Sequence, residues 1–169
     1  MILPAGPLAR ALARRALPVM EERAALYGAS AFLDFGPFPL PRRCLPVLPG
    51  PEAKRGVSPA VRPPREKLCA VSCFCLTLLA PEECGELIRR MALHAGRTLL
   101  LDFKEPERNL EYPAFFLLAP LRRALGGSGD AKHAGLEAFL YEEGLRPLSR
   151  RTLFGGSLRL VELSSGPLP

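Results

Sequence analysis

Two continuous apolar runs flank one amphipathic segment, and this pattern organises the second half of the chain. Residues 68–76 and 97–103 are apolar runs of strand length, and residues 81–94 between them have apolar positions at helical spacing. Continuous apolar runs are typical of strands covered on both faces, as in a parallel sheet. The pattern therefore predicts strand, helix and parallel strand, with any ligand site at the carboxyl ends of the strands.

The remaining pattern of the second half predicts two helices and a terminal hairpin. Pro113 is expected to begin a helix over residues 114–125, and a second helix is expected over residues 131–143. Strands are expected at residues 146–154 and 157–163, and the Gly155-Gly156 pair between them is a hairpin signal. The chain is thus predicted to end in an antiparallel pair of strands.

The N-terminal segment predicts one amphipathic helix followed by a short apolar piece. Residues 7–27 have apolar positions at helical spacing with arginines elsewhere around the helix, and Pro18 is expected to kink or split it. Residues 32–35 are a short aromatic-rich piece, which the Gly36-Pro37 pair ends.

Proline dominates the following segment, from residue 37 to residue 64, and no good strand or helix can be written through it. We predict a poorly ordered loop that contains at most a short strand at residues 44–48. The chain is accordingly divided into an N-terminal helical leader at 1–36, a Pro-rich segment at 37–67 and an α/β unit at 68–169.

Composition and charge narrow the possible partners. Hydrophobic residues make up 48% of the 169 residues, which is enough for a core, and the net charge is +6. The arginines are spread out and are not interleaved with aromatic residues, so a nucleic-acid partner is not expected. No apolar run reaches the roughly 18 residues of a membrane span. The Arg-rich start resembles a transit peptide, but its low serine content favours a surface helix.

The cysteines predict buried thiols and no metal site. Five cysteines occur without a CxxC pair, and three of them lie in the predicted strand at 68–76. Free, buried thiols are typical of an intracellular protein, so we expect a cytoplasmic location. Only His94 and His133 could supplement the thiols as zinc ligands, and we therefore expect no metal.

The order of these elements resembles class I S-adenosylmethionine (SAM)-dependent methyltransferases. Residues 71–79 resemble the fourth strand of that family with its following turn, and residues 97–103 resemble the fifth. The Gly155-Gly156 hairpin would supply the sixth strand and the reversed seventh, while residues 25–35 and 104–112 resemble the leader and a loop of a small-molecule subgroup. The resemblance implies an α/β fold, namely an incomplete Rossmann-like sheet, mostly parallel with a reversed C-terminal strand, preceded by a helix. It also implies SAM as the cofactor and a small-molecule methyl acceptor.

The sequence departs from the family pattern at the cofactor loop. The first strand of the family ends in a Gly-rich loop, and a carboxylate ends its second strand. Here Cys44 is expected to begin that region, Gly50 replaces the glycine cluster, and residues 56–60, with Ser58, resemble the end of the second strand without its carboxylate. Two explanations remain open: a degenerate paralogue, or a shifted reading frame between about residues 41 and 67.

The resemblance assigns candidate roles to residues beyond the strand ends. Methyl transfer requires mainly in-line positioning, with a base only for a protonated nucleophile. The candidates for the cofactor are Gly50, Ser58, Ser72, Cys73 and Phe74; those for the substrate are Asp102, Lys104, Glu107, Arg108, Asn109 and Tyr112; His133 is the candidate base. The competing interpretations are core packing for the strand, a solvated loop for the substrate group and a surface position for His133.

Three hypotheses about function follow. The first is a methyltransferase-like protein that acts on a small molecule if it is active. The second is a catalytically inactive remnant or partner-binding protein with the same fold. The third is an unrelated α/β protein that binds anionic partners through its Arg-rich first helix.

Overall fold

Six strands form one sheet, and helices lie on both of its faces. The computed structural model describes residues 5–29, 31–35, 44–46, 64–104, 109–125, 140 and 147–164. The helices are α1 (Ala5–Leu26), α2 (Cys75–Leu78), α3 (Pro81–His94) and α4 (Tyr112–Ala124). The strands are β1 (Ala31–Asp34), β2 (Cys44–Pro46), β3 (Leu68–Cys73), β4 (Arg97–Phe103), β5 (Pro147–Leu153) and β6 (Leu158–Ser164).

The strand order is β2-β1-β3-β4-β6-β5. The first four strands in this order are parallel, whereas β6 runs antiparallel to β4 and pairs with β5 in a hairpin. The expected fold class, a mostly parallel sheet with a reversed C-terminal strand and an N-terminal helix, is therefore confirmed.

Alternate residues of the central strands pack against different helices. On β3, Cys69, Val71 and Cys73 belong to the hydrophobic cluster with α1 and α4. Leu68 and Ala70 belong to the cluster on the other face, which contains the buried side chains of α3. Because both faces of β3 and β4 are covered, these strands have apolar residues at successive positions rather than at alternate ones.

The strand predicted at residues 68–76 is too long. The strand β3 ends at Cys73, and Phe74 adopts a left-handed backbone conformation with φ of 63° before α2 begins at Cys75. Apolar residues continue through this turn because the helix α2 is also partly buried, with Cys75 in the core. A continuous apolar run cannot by itself distinguish a buried strand from a buried helix.

The aromatic-rich piece at residues 32–35 forms the strand β1, which lies within the sheet between β2 and β3. Leu33 is paired with Ala70, and the N–H of Phe35 donates to the carbonyl of Val71 at 2.9 Å. The sequence also predicts that the strand containing Cys44 lies against β3, as the first strand of the resembled family would, and this prediction is wrong. The strand β2, which contains Cys44, pairs with β1 instead.

The helix α1 runs through Pro18 without being split in two. Its buried stripe, made of Ala9, Ala13, Ala16 and Met20, packs against the sheet together with α4. Tertiary packing of an apolar stripe supplies most of the stability of such a helix, and it compensates for the hydrogen bond that proline removes. The helix predicted at 131–143 and most of the Pro-rich segment lie outside the described residues.

One buried ion pair ties α1 to β6. The guanidinium of Arg23 contacts a carboxylate oxygen of Glu162 at 2.8 Å, and the Ser149 hydroxyl donates to the same oxygen at 2.8 Å. The Glu162 side chain is 1% exposed. A hydrogen bond to Glu162, together with burial, raises the pKa of the Tyr27 hydroxyl above its ordinary value. The pair therefore orients the C-terminal turn of α1 on the sheet.

Removing one member of this pair tests how much it stabilises the fold. Arg23→Ala leaves the Glu162 carboxylate buried without its cation, so we expect the free energy of unfolding to fall by about 3 kcal/mol. The exposed pair between Arg151 and Glu22 is the matched control, and Arg151→Ala is expected to cost less than about 1 kcal/mol. Urea unfolding of both variants checks the expectation, and equal losses would contradict it.

Candidate functional site

The order of the strands reverses between β1 and β3. From β1 the chain passes to β2 on one side, and β3 then lies on the other side of β1. In open α/β sheets, ligands bind at such a switch point, outside the carboxyl ends of the strands. The carboxyl ends at this point are Asp34 with Phe35 on one strand and residues 72–74 on the other. Three predicted cofactor residues, Ser72, Cys73 and Phe74, therefore lie at the switch point, and their role stays a prediction.

The end of β3 is fixed by a strained residue. Phe74 has φ of 63° and ψ of 24°, which costs an L-residue about 1–2 kcal/mol. Its N–H donates to the carbonyl of Leu101 at 2.7 Å, and its buried ring lies 5.1 Å from the ring of Phe103. The side chains of Cys73 and Phe74 belong to the core on the α1 and α4 face. A ligand at this edge would thus meet the turn of the backbone at Phe74.

Ser72 is a buried hydroxyl with unused hydrogen-bonding capacity. Its Oγ forms no hydrogen bond of good geometry with any described residue, although it is near enough to the Cys75 thiol to influence the pKa of that thiol. An unsatisfied buried polar group costs about 1–3 kcal/mol, and such groups are often satisfied by a ligand or an ordered water. Ser72 is therefore the residue of this edge most in need of a further partner.

The thiols near the edge are buried, and the pKa of one of them is raised. The sulfur atoms of Cys75 and Cys84 lie 3.9 Å apart, and both residues are fully buried. The neighbouring Cys84 thiol and burial raise the pKa of Cys75 well above its usual value. Cys69 and Cys73 are also buried and free, so the prediction of free, buried thiols is confirmed for these four cysteines. A thiol with a raised pKa is a poor nucleophile.

The Asp102 carboxylate, at the carboxyl end of β4, fastens α2 to the sheet. The hydroxyl of Thr77 donates to Oδ1 at 2.6 Å, and the N–H groups of Thr77 and Phe103 donate to the carboxylate at 3.4 and 2.8 Å. A carboxylate at the N-terminal turn of a helix satisfies backbone donors that have no partner within the helix. The predicted contact of Asp102 with a substrate stays a prediction; its contacts in the structure position α2.

Lys104 forms a buried ion pair that anchors the segment after β4. Its Nζ contacts the two carboxylate oxygens of Glu111 at 2.9 and 3.1 Å, and its N–H donates to the carbonyl of Ser157 at 2.9 Å. A Cβ atom at Gly156 would lie 2.5 Å from the Glu111 side chain, so glycine provides the space that this pair requires. Two other predicted substrate residues, the exposed Asn109 and the partly exposed Tyr112, flank Glu111.

The structure also identifies a residue that the sequence analysis missed. Asp34 is a buried acidic residue at the carboxyl end of β1, directly opposite the end of β3. Its signal in the sequence is the apolar run that ends in this aspartate before Gly36. The remaining predicted site residues lie outside the described part of the chain: Gly50, Ser58, Glu107, Arg108 and His133.

The described residues contain no group of three or more His, Cys, Asp or Glu side chains that could bind a metal ion. In the same part of the chain, no helix is both long enough and apolar enough to span a bilayer.

Comparison with known proteins bears on the fold. Neither a scan of protein-family models nor a search of curated proteins gives a match. Among solved structures, the mitomycin 7-O-methyltransferase MmcR is similar with a TM-score of 0.55 and 18% identity, over 93% of this chain and 56% of MmcR. LepI in complex with SAM is similar with a TM-score of 0.50 and 14% identity, over 88% of this chain and 39% of LepI.

The chain therefore spans about half of MmcR and a smaller share of LepI. The order and directions of the strands agree with the resemblance seen in the sequence. The chain has a class I SAM-dependent methyltransferase-like fold.

A double-mutant cycle tests whether Asp102 holds α2. Asp102→Ala and Thr77→Val each remove the hydrogen bond from the Thr77 hydroxyl to Oδ1 of Asp102, so we expect each to lower the free energy of unfolding by about 1–3 kcal/mol. Because the two residues share that bond, the double variant should lose less than the sum, by about 1 kcal/mol. Additive losses in urea unfolding would show that the two side chains do not interact.

Thiol labelling tests the burial of the four cysteines. We expect iodoacetamide at pH 8 to label Cys69, Cys73, Cys75 and Cys84 slowly in the folded protein and rapidly in urea, because burial keeps the reagent away from the thiols. Peptide mass spectrometry assigns the labelled positions. Rapid labelling of Cys75 under native conditions would contradict the raised pKa of that thiol.

Proposed function

We propose that this chain binds SAM at the carboxyl edge between β1 and β3, and that it methylates a small molecule if it is active. The observation that supports this most is the buried Ser72 hydroxyl, which forms no hydrogen bond of good geometry with a described residue and lies at the switch point of a methyltransferase-like sheet. A ligand at this position would lie between the ends of two parallel strands, next to Asp34. Two proteins of similar fold support this proposal: MmcR is a methyltransferase, and LepI forms a complex with SAM.

The described residues fit one part of SAM better than the other. The methionine part of SAM has an ammonium and a carboxylate group, which suit the Asp34 carboxylate and the Ser72 hydroxyl as partners. The ribose hydroxyls have no carboxylate partner at the end of β2, because that strand ends at Pro46. Residues 35–43 are also fewer than the dozen or so that a helical crossover between parallel strands needs. The proposed binding therefore depends mainly on the methionine side.

The residues of this chain would supply binding and orientation. Bound SAM supplies an electrophilic methyl group on a sulfonium, and transfer requires an acceptor atom in line with the sulfur–methyl bond. Lys104 and Glu111 would fix the segment that bears Asn109 and Tyr112, which we propose face the acceptor together with Asp102. His133 is the proposed base for an acceptor that must lose a proton.

The alternative is a catalytically inactive remnant or a partner-binding protein with the same fold. The short connection between β1 and β2 favours this alternative, because residues 35–43 are fewer than a helical crossover between parallel strands usually has. Binding of SAM without transfer to any acceptor is the result expected of a remnant. Absence of binding is the result expected of a protein that uses the fold for another partner.

Calorimetric titration of the full chain with SAM, and with its demethylated product, tests the proposal. We expect binding in the micromolar range, and we expect Asp34→Asn to weaken it by about tenfold because a charge-assisted hydrogen bond is lost. Glu86→Gln is the matched control, since Glu86 is an exposed carboxylate on α3, and it should leave the affinity unchanged.

Circular dichroism of the same variants verifies that each is folded at the temperature of the titration. Binding that is absent in the folded wild-type chain would overturn the proposed site. Binding that Asp34→Asn leaves unchanged would place SAM elsewhere on the protein.

A further inference from the structure

The outer face of α4 is apolar. Phe116 is 66% exposed and Leu117 is 79% exposed, while Tyr112 at the start of the helix is 43% exposed. Leu110, two residues before the helix, is 90% exposed. The solvent-facing side of a surface helix is ordinarily polar, and contiguous exposed apolar groups usually mark an interaction site. We call Leu110, Tyr112, Phe116 and Leu117 the outer face of α4.

The aromatic side chains of this helix are in contact with one another. The ring of Phe116 lies 6.1 Å from that of Tyr112 and 6.0 Å from that of Phe115. The guanidinium of Arg122 lies 5.8 Å from the ring of Phe115. The outer face is thus continuous with a row of rings that ends at a cation.

The charged side chains that the structure describes on α4 and on the first half of α1 are basic. The helix α4 contains no acidic residue, and its last turn contains Arg122 and Arg123. The neighbouring helix α1 exposes Arg10 and Arg14 on its first half, in which no acidic residue occurs. Glu111, at the start of α4, is already paired with Lys104. A second copy of this chain would place arginines against arginines, so the charge favours an anionic partner.

We propose that the outer face of α4 is a docking surface for an anionic lipid bilayer. Exposed leucine and phenylalanine side chains can enter the boundary between headgroups and acyl chains, while arginines and the tyrosine lie at the level of the phosphates. A nucleic acid would use the arginines but would leave Leu110 and Leu117 exposed to water. This surface lies on the α1 and α4 side of the sheet, and Tyr112 is the one residue that it shares with the proposed substrate residues.

The helix α3, on the opposite face of the sheet, provides a control surface. The exposed positions of α3 include Glu82, Glu83 and Glu86, and Leu93 is its large exposed apolar residue at 72%. The same helix also exposes Arg89, and a single leucine on this surface of mixed charge is not expected to hold the protein on a bilayer, because one side chain buries too little apolar area. Leu93 is therefore a matched control for a leucine of the outer face.

Vesicle flotation with the full chain tests the proposal. We expect the protein to float with vesicles that contain phosphatidylglycerol and not with vesicles of phosphatidylcholine alone. The double variant Phe116→Gln/Leu117→Gln should bind these vesicles about tenfold or more weakly, because two inserted apolar side chains are lost. Leu93→Gln should bind as the wild type does. Arg122→Gln/Arg123→Gln should weaken binding less at high salt than at low salt, because salt already screens the lost attraction.

Three results would overturn the proposal. One is the absence of flotation with anionic vesicles at low salt. Another is an equal loss of binding in Leu93→Gln and in Phe116→Gln/Leu117→Gln. The third is a wild-type protein that is dimeric by light scattering together with a monomeric Phe116→Gln/Leu117→Gln variant, since the outer face of α4 would then be an interface between copies.

Discussion

The parallel pairing of β1 with β3 determines where the candidate site of this protein lies. Four residues of β1 pair with β3, and the N–H of Phe35 extends this pairing beyond the strand. The pairing places the end of β1 beside the end of β3, and it puts β2 on the far side, away from β4. The reversal of strand order, and with it the candidate site, follows from this single adjacency.

Several polar contacts hold the carboxyl edge of the sheet in place. Asp102 fastens α2, the Lys104–Glu111 pair fastens the segment before α4, and the left-handed conformation of Phe74 turns the chain between β3 and α2. The conformational strain at Phe74 is offset by full burial of its ring and by the contact with Phe103. Strained residues concentrate at functional sites because the surrounding structure must maintain them. An edge built in this way is suited to holding a ligand in one orientation.

The elements with long, clear patterns could be predicted from the sequence, and the place of the short strand β1 in the sheet could not. The apolar runs of β3 and β4 and the amphipathic pattern of α3 each extend over several residues, and the Gly155-Gly156 pair marks the hairpin locally. The strand β1 has four residues, and its role depends on pairing with distant parts of the chain that no local pattern reveals. Asp34 was missed although an apolar run ends in it, because its burial beside β3 depends on the same distant pairing. The contacts of Asp102 and Lys104 also depend on partners that only the tertiary fold brings together, as does the exposure of the apolar face of α4.

Hydrogen exchange with and without the demethylated product of SAM, S-adenosylhomocysteine, tests the central claim most directly. If the site lies at the switch point, ligand binding should slow exchange of amides at residues 31–35 and 69–76, with little change in β5 and β6. Protection confined to the β5–β6 hairpin, or no protection anywhere at saturating ligand, would contradict a ligand site between β1 and β3.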